Sequence, residues 1–349
     1  MGRGARQAHE AILGFGVSPT RRRSYHRRPA AERPAVRRVG LPDGRGLSVR
    51  HWPGEGRPVV LLHGLLDEAA GWDDVARSTT RPVLAFDLPG FGASDRPAGA
   101  TMEAFAADVA DAIRAEGLRS FTLVGHSLGG GVAAHVADLL PDRVASLALM
   151  APAGFAANPI AQAVSAPGVR QVVGAGLPLV LANPLLVAGA YATTVAGGRL
   201  PSRELLGRVR AQALRVGPAA RAAVQAIADA GRGDMTLFAR RSRYTGPVHA
   251  LWGAGDVLIP VAHQDGVKAC FPQAQVTVWD GMAHHPQHER PEQLATFVES
   301  CCDQRPDKAP ARSIEQIRQT RERVRSPGVA QRPPRSPSDA RLSRRSSPR

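Results

Sequence analysis

The sequence predicts an α/β fold: a mostly parallel central sheet flanked by helices, with a helical cap inserted over one edge. Three observations predict it. From residue 45 onward, short β-branched or apolar runs alternate with longer stretches of helical spacing. Several of those runs are apolar throughout, the pattern of strands covered on both faces. The rhythm then breaks for roughly ninety mostly helix-favouring residues, 154–243, a gap too long for a loop.

Taken in order, VRRVG and GLSVRHW form an antiparallel hairpin through the turn LPDGRG. RPVVLLHG (57–64) and RPVLAFD (81–87) are the next two strands. Residues 102–116 suit a helix, because Met102, Phe105, Val109 and Ile113 share one face. SFTLVG (120–125) is a strand that runs straight into a helix over 128–140, with Leu128, Val132, Val136 and Leu139 on one side and Pro141 as its stop. VASLALM (144–150), PVHALWG (247–253) and QVTVW (275–279) complete the strands. Such alternation places helices on both sides of the sheet. Ligands in open α/β sheets bind outside the carboxyl ends of strands, where a cap would close the site.

Charge divides the chain further. The net charge is +15, yet residues 1–38 hold 10 Arg against 2 Glu, and residues 303–349 hold 13 Lys+Arg against 5 Asp+Glu. Each tail therefore carries +8, and the 264 residues between them are near neutral. The expected organisation is a basic tail (1–38), core (39–153), helical cap (154–243), core (244–302) and a basic Pro/Ser/Arg-rich tail (303–349). Both tails are too poor in bulky apolar residues to offset the entropy of ordering. They suit weak contact with an anionic surface, or simple solvation, or upstream sequence carried into the reading frame. Neither has aromatic interleaving or a base-reading module, so no specific nucleic-acid partner is expected.

AILGFGV is too short for the apolar core of a secretory signal, and arginine follows it. Cys270, Cys301 and Cys302 are odd in number and lack metal-ligand spacing, which argues against a disulfide framework and for the cytoplasm. Residues 171–198 carry no charge, long enough on paper for a membrane span. Pro178, Asn183 and Pro184 interrupt them, so broken apolar helices facing a pocket or lipid are expected instead.

Gly125-His126-Ser127-Leu128-Gly129 follows a strand and opens a helix, the context required of a nucleophile elbow. Side chains at the flanking positions would clash with backbone, and the helix N-terminus offers N–H groups to an anion. A serine hydroxyl needs a base to take its proton. An acid and a histidine are therefore expected downstream, in the order Ser, Asp/Glu, His. Asp256 lies just past the 247–253 strand, and His284, His285 and His288 just past the last strand. Three histidines so close together suit metal ligation, a pH-sensitive patch, or one base with two bystanders. A Ser–Asp partnership needs one of them. Adjacent side chains point in different directions, and Pro286 pushes His285 toward extended backbone. At this level His284 and His285 both remain open as the base.

Five segments carry a family resemblance: Leu61-Leu62-His63-Gly64, DLPGFGASDRP (87–97), GHSLGG (125–130), WGAGDVLIP (252–260), and His284, Pro286, Glu289 and Pro291 in a His-x-Pro-x-x-Glu-x-Pro pattern. Over roughly residues 36–302 the chain resembles the α/β-hydrolase superfamily, in the branch with a helical cap and a Ser–His–Asp triad. The resemblance implies Ser127, Asp256 and His284 as catalytic residues and the N–H groups of Leu65 and Leu128 as the oxyanion hole. It places His126 in the pocket lining, His63 in a structural hydrogen bond and Asp87 outside catalysis. His285 would flank the pocket, and His288 would sit in the solvent-facing approach to the last helix. No metal or organic cofactor is implied.

Dehalogenases and epoxide hydrolases of this family use an aspartate nucleophile, where this chain has Ser127. Carbon–carbon bond hydrolases usually carry an aromatic residue after the catalytic histidine, where this chain has His285. Perhydrolases usually place an aromatic after His-Gly, where Leu65 stands. The expected activity is hydrolysis of a carboxylic ester with an apolar or lipid-like acyl group, its partner a small-molecule acyl substrate. Acyl transfer or carbon–carbon bond hydrolysis by the same triad, or a non-catalytic receptor, are the alternatives.

Overall fold

A computed structural model describes residues 33–99, 101–157, 183–195, 200–215 and 241–303, with isolated positions between 163 and 198. Eight strands form one sheet: β1 (Ala35–Gly40), β2 (Gly46–Trp52), β3 (Val59–Leu62), β4 (Val83–Phe86), β5 (Phe121–His126), β6 (Val144–Met150), β7 (Val248–Gly253) and β8 (Gln275–Trp279). Their spatial order is β1-β2-β4-β3-β5-β6-β7-β8. β1 pairs with β2 and β2 with β4 antiparallel, and every other pair is parallel. The expected hairpin and strands are all present. One border moves: the tail that charge alone ended at residue 38 ends inside β1. Arg37 and Arg38 belong to that strand and are held by Glu116 and Asp95.

Continuous apolar runs are explained by the period of two. In β3, Val60 and Leu62 join the core on one face of the sheet, while Val59 and Leu61 join the core on the other. After the short helix α1 (Asp73–Arg77), helix α2 (Met102–Ala115) packs on the first face through Phe105, Val109 and Ile113, and Thr101 caps it by accepting from the Ala104 N–H at 3.1 Å. Its buried Asp108 takes a bidentate pair from Arg45 at 2.5 and 2.7 Å, which ties the β1–β2 turn to the helix. Helix α3 (Leu128–Leu139) lies on the same face. On the other face the C-terminal helix (Pro291–Asp303) buries Leu294, Val298 and Cys302 against Leu61, Val124 and Leu251.

The chain order reverses between β3 and β5, so their carboxyl ends open a crevice at a topological switch point. The segments after β7 and β8 reach the same edge of the sheet. Within the insertion, Pro184–Ala192 and Arg203–Arg215 are helical, the first started by Asn183, whose side chain accepts from Leu185 N–H at 3.0 Å. Val187 and Leu205 of these helices pack with Tyr191, Leu206 and Leu66, and Leu66 belongs to the loop after β3. Among the described residues no helix is long and apolar enough to cross a membrane. The remainder of the 154–243 cap, most of the uncharged 171–182 stretch, and the tails over 1–32 and 304–349 lie outside the described residues.

Candidate active site

Ser127 sits where β5 turns into α3, with φ 52° and ψ −117°. A non-glycine residue there costs of order 1–3 kcal/mol and persists only where its surroundings enforce it. They do. Ser127 N–H donates to Met150 O at 2.9 Å, and its carbonyl accepts from the N–H groups of Gly130 (2.9 Å), Gly131 (3.2 Å) and Ala153 (2.9 Å). The two flanking glycines are required by close backbone approach. A Cβ on Gly129 would stand 2.4 Å from His63 O and 2.5 Å from Leu62 O, and one on Gly125 would stand 2.2 Å from Gly129 O. Gly129→Ala is therefore expected to cost at least about 2 kcal/mol of stability in urea unfolding, since only backbone could yield. A variant as stable as the parent would contradict this packing.

The turn brings three side chains together. His284 Nε2 lies 3.1 Å from Ser127 Oγ, and His284 Nδ1 lies 2.8 Å from Asp256 Oδ2. With Nδ1–H donating to the carboxylate, Nε2 is left to accept the serine proton. Asp256 Oδ1 accepts from Leu258 N–H and Ile259 N–H, both at 2.9 Å, so the acid is oriented by its own loop. Of the two open histidines, His284 is the one that faces Ser127.

Leu65 follows the His-Gly pair after β3, and Leu128 is the first residue of α3. Among the described residues neither N–H donates a hydrogen bond. Gly64 lets the loop come this near, because a Cβ on it would stand 3.2 Å from Ser127 Cβ. His63 is structural: its Nδ1–H donates to Gly64 O at 2.7 Å, and its Nε2 accepts from Leu88 N–H at 2.9 Å. The Asp87 carboxylate also holds backbone, accepting from Ala69 N–H (2.7 Å) and Ala93 N–H (3.0 Å).

A family model described as alpha/beta hydrolase fold matches residues 57–291. This chain belongs to the α/β-hydrolase family. An uncharacterised protein of Mycobacterium tuberculosis is 33% identical over 272 residues, spanning 72% of this chain and 76% of its own length. A protein of Cupriavidus necator, named the dihydrolipoyllysine-residue acetyltransferase component of an acetoin cleaving system, is 32% identical over 268 residues, or 75% of this chain and 68% of its own. Among solved structures, a membrane phospholipase A described as a bacterial virulence factor aligns with TM-score 0.63 and 26% identity, covering 77% of this chain and 86% of its own. An esterase of Thermogutta terrifontis aligns with TM-score 0.58 and 25% identity, covering 76% and 97%.

Two other histidines of this α/β-hydrolase stand differently from expectation. His126 offers no free ring nitrogen to a ligand: it is buried, its Nε2–H donates to His284 O at 2.7 Å, and its Nδ1 accepts from the Gln287 amide at 3.2 Å. The reason is its place at the end of a strand with both faces covered, where an imidazole must satisfy both nitrogens internally. His288 does not lie in solvent either. Its Nε2 sits 3.2 Å from Asp67 Oδ2, in the loop after β3.

His285 is the half-buried neighbour of His284. Its ring stacks on Tyr191 at 5.1 Å between centroids. Thr194 spends its hydroxyl proton on Tyr191 O (2.8 Å), so His285 Nε2–H must donate to Thr194 Oγ1 across 3.0 Å. Thr194 also accepts His284 N–H at its carbonyl, 3.0 Å away. Glu289 completes the clamp, accepting from the N–H groups of Ala283 (3.1 Å) and His285 (3.0 Å). This gives the Glu of the His-x-Pro-x-x-Glu-x-Pro pattern a physical task. Asp67, Gln287, Thr194 and Tyr191 carried no signal of their own in the sequence.

Burial holds the pKa of His126, and that of His285, well below the ordinary value near 6.5, with the charge of neighbouring His284 adding to each. The folded state thus disfavours protons that the unfolded chain takes up below about pH 6.5. Stability from these groups is fully present above that pH and is lost as pH falls through the window beneath it. The melting temperature is expected to drop by several degrees on acidification from about pH 7.5 to about pH 5.5. A flat profile would contradict the assignment.

Proposed function

We propose that this α/β-hydrolase is a serine esterase, cleaving a carboxylic ester with an apolar or lipid-like acyl group through an acyl-enzyme on Ser127. The observation that supports this reading is the unbroken line Asp256–His284–Ser127, whose serine opens the helix that begins at Leu128 and lies against Gly64, the neighbour of Leu65. In the first step Ser127 Oγ attacks the carbonyl carbon while His284 Nε2 takes its proton. Asp256 stabilises the imidazolium that forms. The carbonyl oxygen, now negative, receives hydrogen bonds from Leu65 and Leu128, each such donor being worth about 2.7–4 kcal/mol in the transition state. His284 returns the proton to the leaving alkoxide. Water then repeats the sequence on the acyl-enzyme, with the same base, and frees the acid.

The acyl preference rests on the uncharged stretch 171–198 of the insertion and on Val187 and Leu205 of its helices, which pack against Leu66 in the loop after β3. The phospholipase and esterase structures share the fold at identities that fit this reading. A panel of p-nitrophenyl esters with graded acyl lengths tests it. Medium-chain esters should be turned over at least about tenfold more efficiently than acetate, the rough value of one or two further buried methylenes. A preference for charged or very short acyl groups would overturn the apolar assignment, and absence of turnover on the whole panel would overturn the esterase.

A further inference from the structure

The reading of Ser127, His284 and Asp256 as a triad leaves unexplained why a glutamine is sealed behind the base. Gln287 is 1% exposed, in the short helix Pro286–Glu289 that follows the histidine pair. Its Nε2 lies 3.2 Å from His126 Nδ1 and 3.5 Å from Asp67 Oδ2, while its Oε1 is buried without a partner among the described residues. An orphaned buried acceptor is a stability cost. The amide nevertheless has one sensible orientation, since the reverse would set Oε1 against the Asp67 carboxylate.

That carboxylate remains ionised. Burial pushes its pKa up, but the hydrogen bond and charge of His288 outweigh burial and hold it far below the usual carboxylate range, helped by the Glu68 N–H at 2.9 Å. One amide hydrogen of Gln287 therefore points at Asp67 and the other at His126. Since His126 Nδ1 must accept, its proton resides on Nε2. Nε2–H is the group that reaches His284 O at 2.7 Å.

We propose that Gln287 is a positioning residue for the reaction: Asp67 fixes the direction of its amide, and that amide fixes the His126 tautomer that holds the His284 backbone. Asp67 lies two residues beyond Leu65, so the same relay ties the oxyanion loop to the base across the nucleophile elbow. No proton is transferred along it. Its effect is geometric, and a small misplacement of a catalytic group can cost up to 10²-fold in rate.

The experiment compares wild type with Gln287→Met, which keeps length and removes polarity, and Gln287→Glu, which keeps shape. With p-nitrophenyl butyrate, kcat of Gln287→Met is expected to fall about tenfold while KM stays within about twofold. Gln287→Glu should lose more, because its carboxylate faces Asp67 and recruits a proton onto His126 Nδ1. Nitrogen-15 NMR of the His126 ring, assigned by its loss in His126→Asn, supplies the second readout. Wild type should show protonated Nε2 and bare Nδ1, and Gln287→Glu should lose that pattern, whereas in Gln287→Met the His284 carbonyl still holds the proton on Nε2. Unchanged kcat in folded Gln287→Met, or an unchanged His126 ring in folded Gln287→Glu, overturns the proposal. Failure of the triad is separate: it would appear as full turnover in Ser127→Ala, whereas the tautomer measurement judges Gln287 without reference to turnover.

Discussion

Ser127→Ala is expected to lower kcat/KM on an activated ester by about 10⁴-fold or more and to abolish covalent labelling by an organophosphonate. The size follows from losing the whole nucleophilic route rather than one contact, since members of such a triad act as a unit. The residual rate would come from the oxyanion donors and binding, which the substitution leaves in place. Folding should be nearly unaffected. Alanine tolerates φ 52° about as poorly as serine, and the hydrogen bonds enforcing the turn come from the backbone of residues 127, 130, 131, 150 and 153. The measurement is a pair: intact-mass labelling and steady-state kinetics on wild type and variant, with the melting temperature alongside. A variant that still labels, or a folded wild type that does not, would remove Ser127 from the chemistry.

The second large effect separates two adjacent histidines. His284→Ala should lose about 10⁴-fold in kcat, because among the described residues His284 alone hydrogen-bonds the Ser127 hydroxyl. His285→Ala should lose less than about tenfold, as expected for a residue that trims geometry from outside. Its ring faces Tyr191 and its Nε2–H goes to Thr194 Oγ1, so its removal loosens the contact with the insertion and shows mainly in KM. Loss confined to His285→Ala would reverse the assignment.

What the sequence made legible was local. The strands were readable because residues such as Val59, Val60, Leu61 and Leu62 feed two cores at once and leave no polar position between them. The elbow was readable because Gly125 and Gly129 answer to backbone a few residues or one strand away. The relay was not, because Asp67 and Gln287 are 220 residues apart and neither belongs to a spacing pattern. His126 and His288 were misplaced for the same reason. Their environments are set by partners brought in by the register of β3, β5 and β8, which no run of neighbouring residues announces. The choice of His284 over His285 lay between these extremes, decided by a side-chain direction that the family pattern encodes and composition does not.

The peptide of His284 is gripped from both sides: its N–H by the carbonyl of Thr194 in the insertion, and its carbonyl by His126 of the elbow. The insertion is thus no interchangeable lid. Grafting the corresponding region of another relative onto this core, a common route to new specificity, would bring a new pocket and at the same time remove one of the two anchors of the His284 peptide. A productive graft must keep a carbonyl where Thr194 presents its own, and natural exchange of such regions faces the same toll.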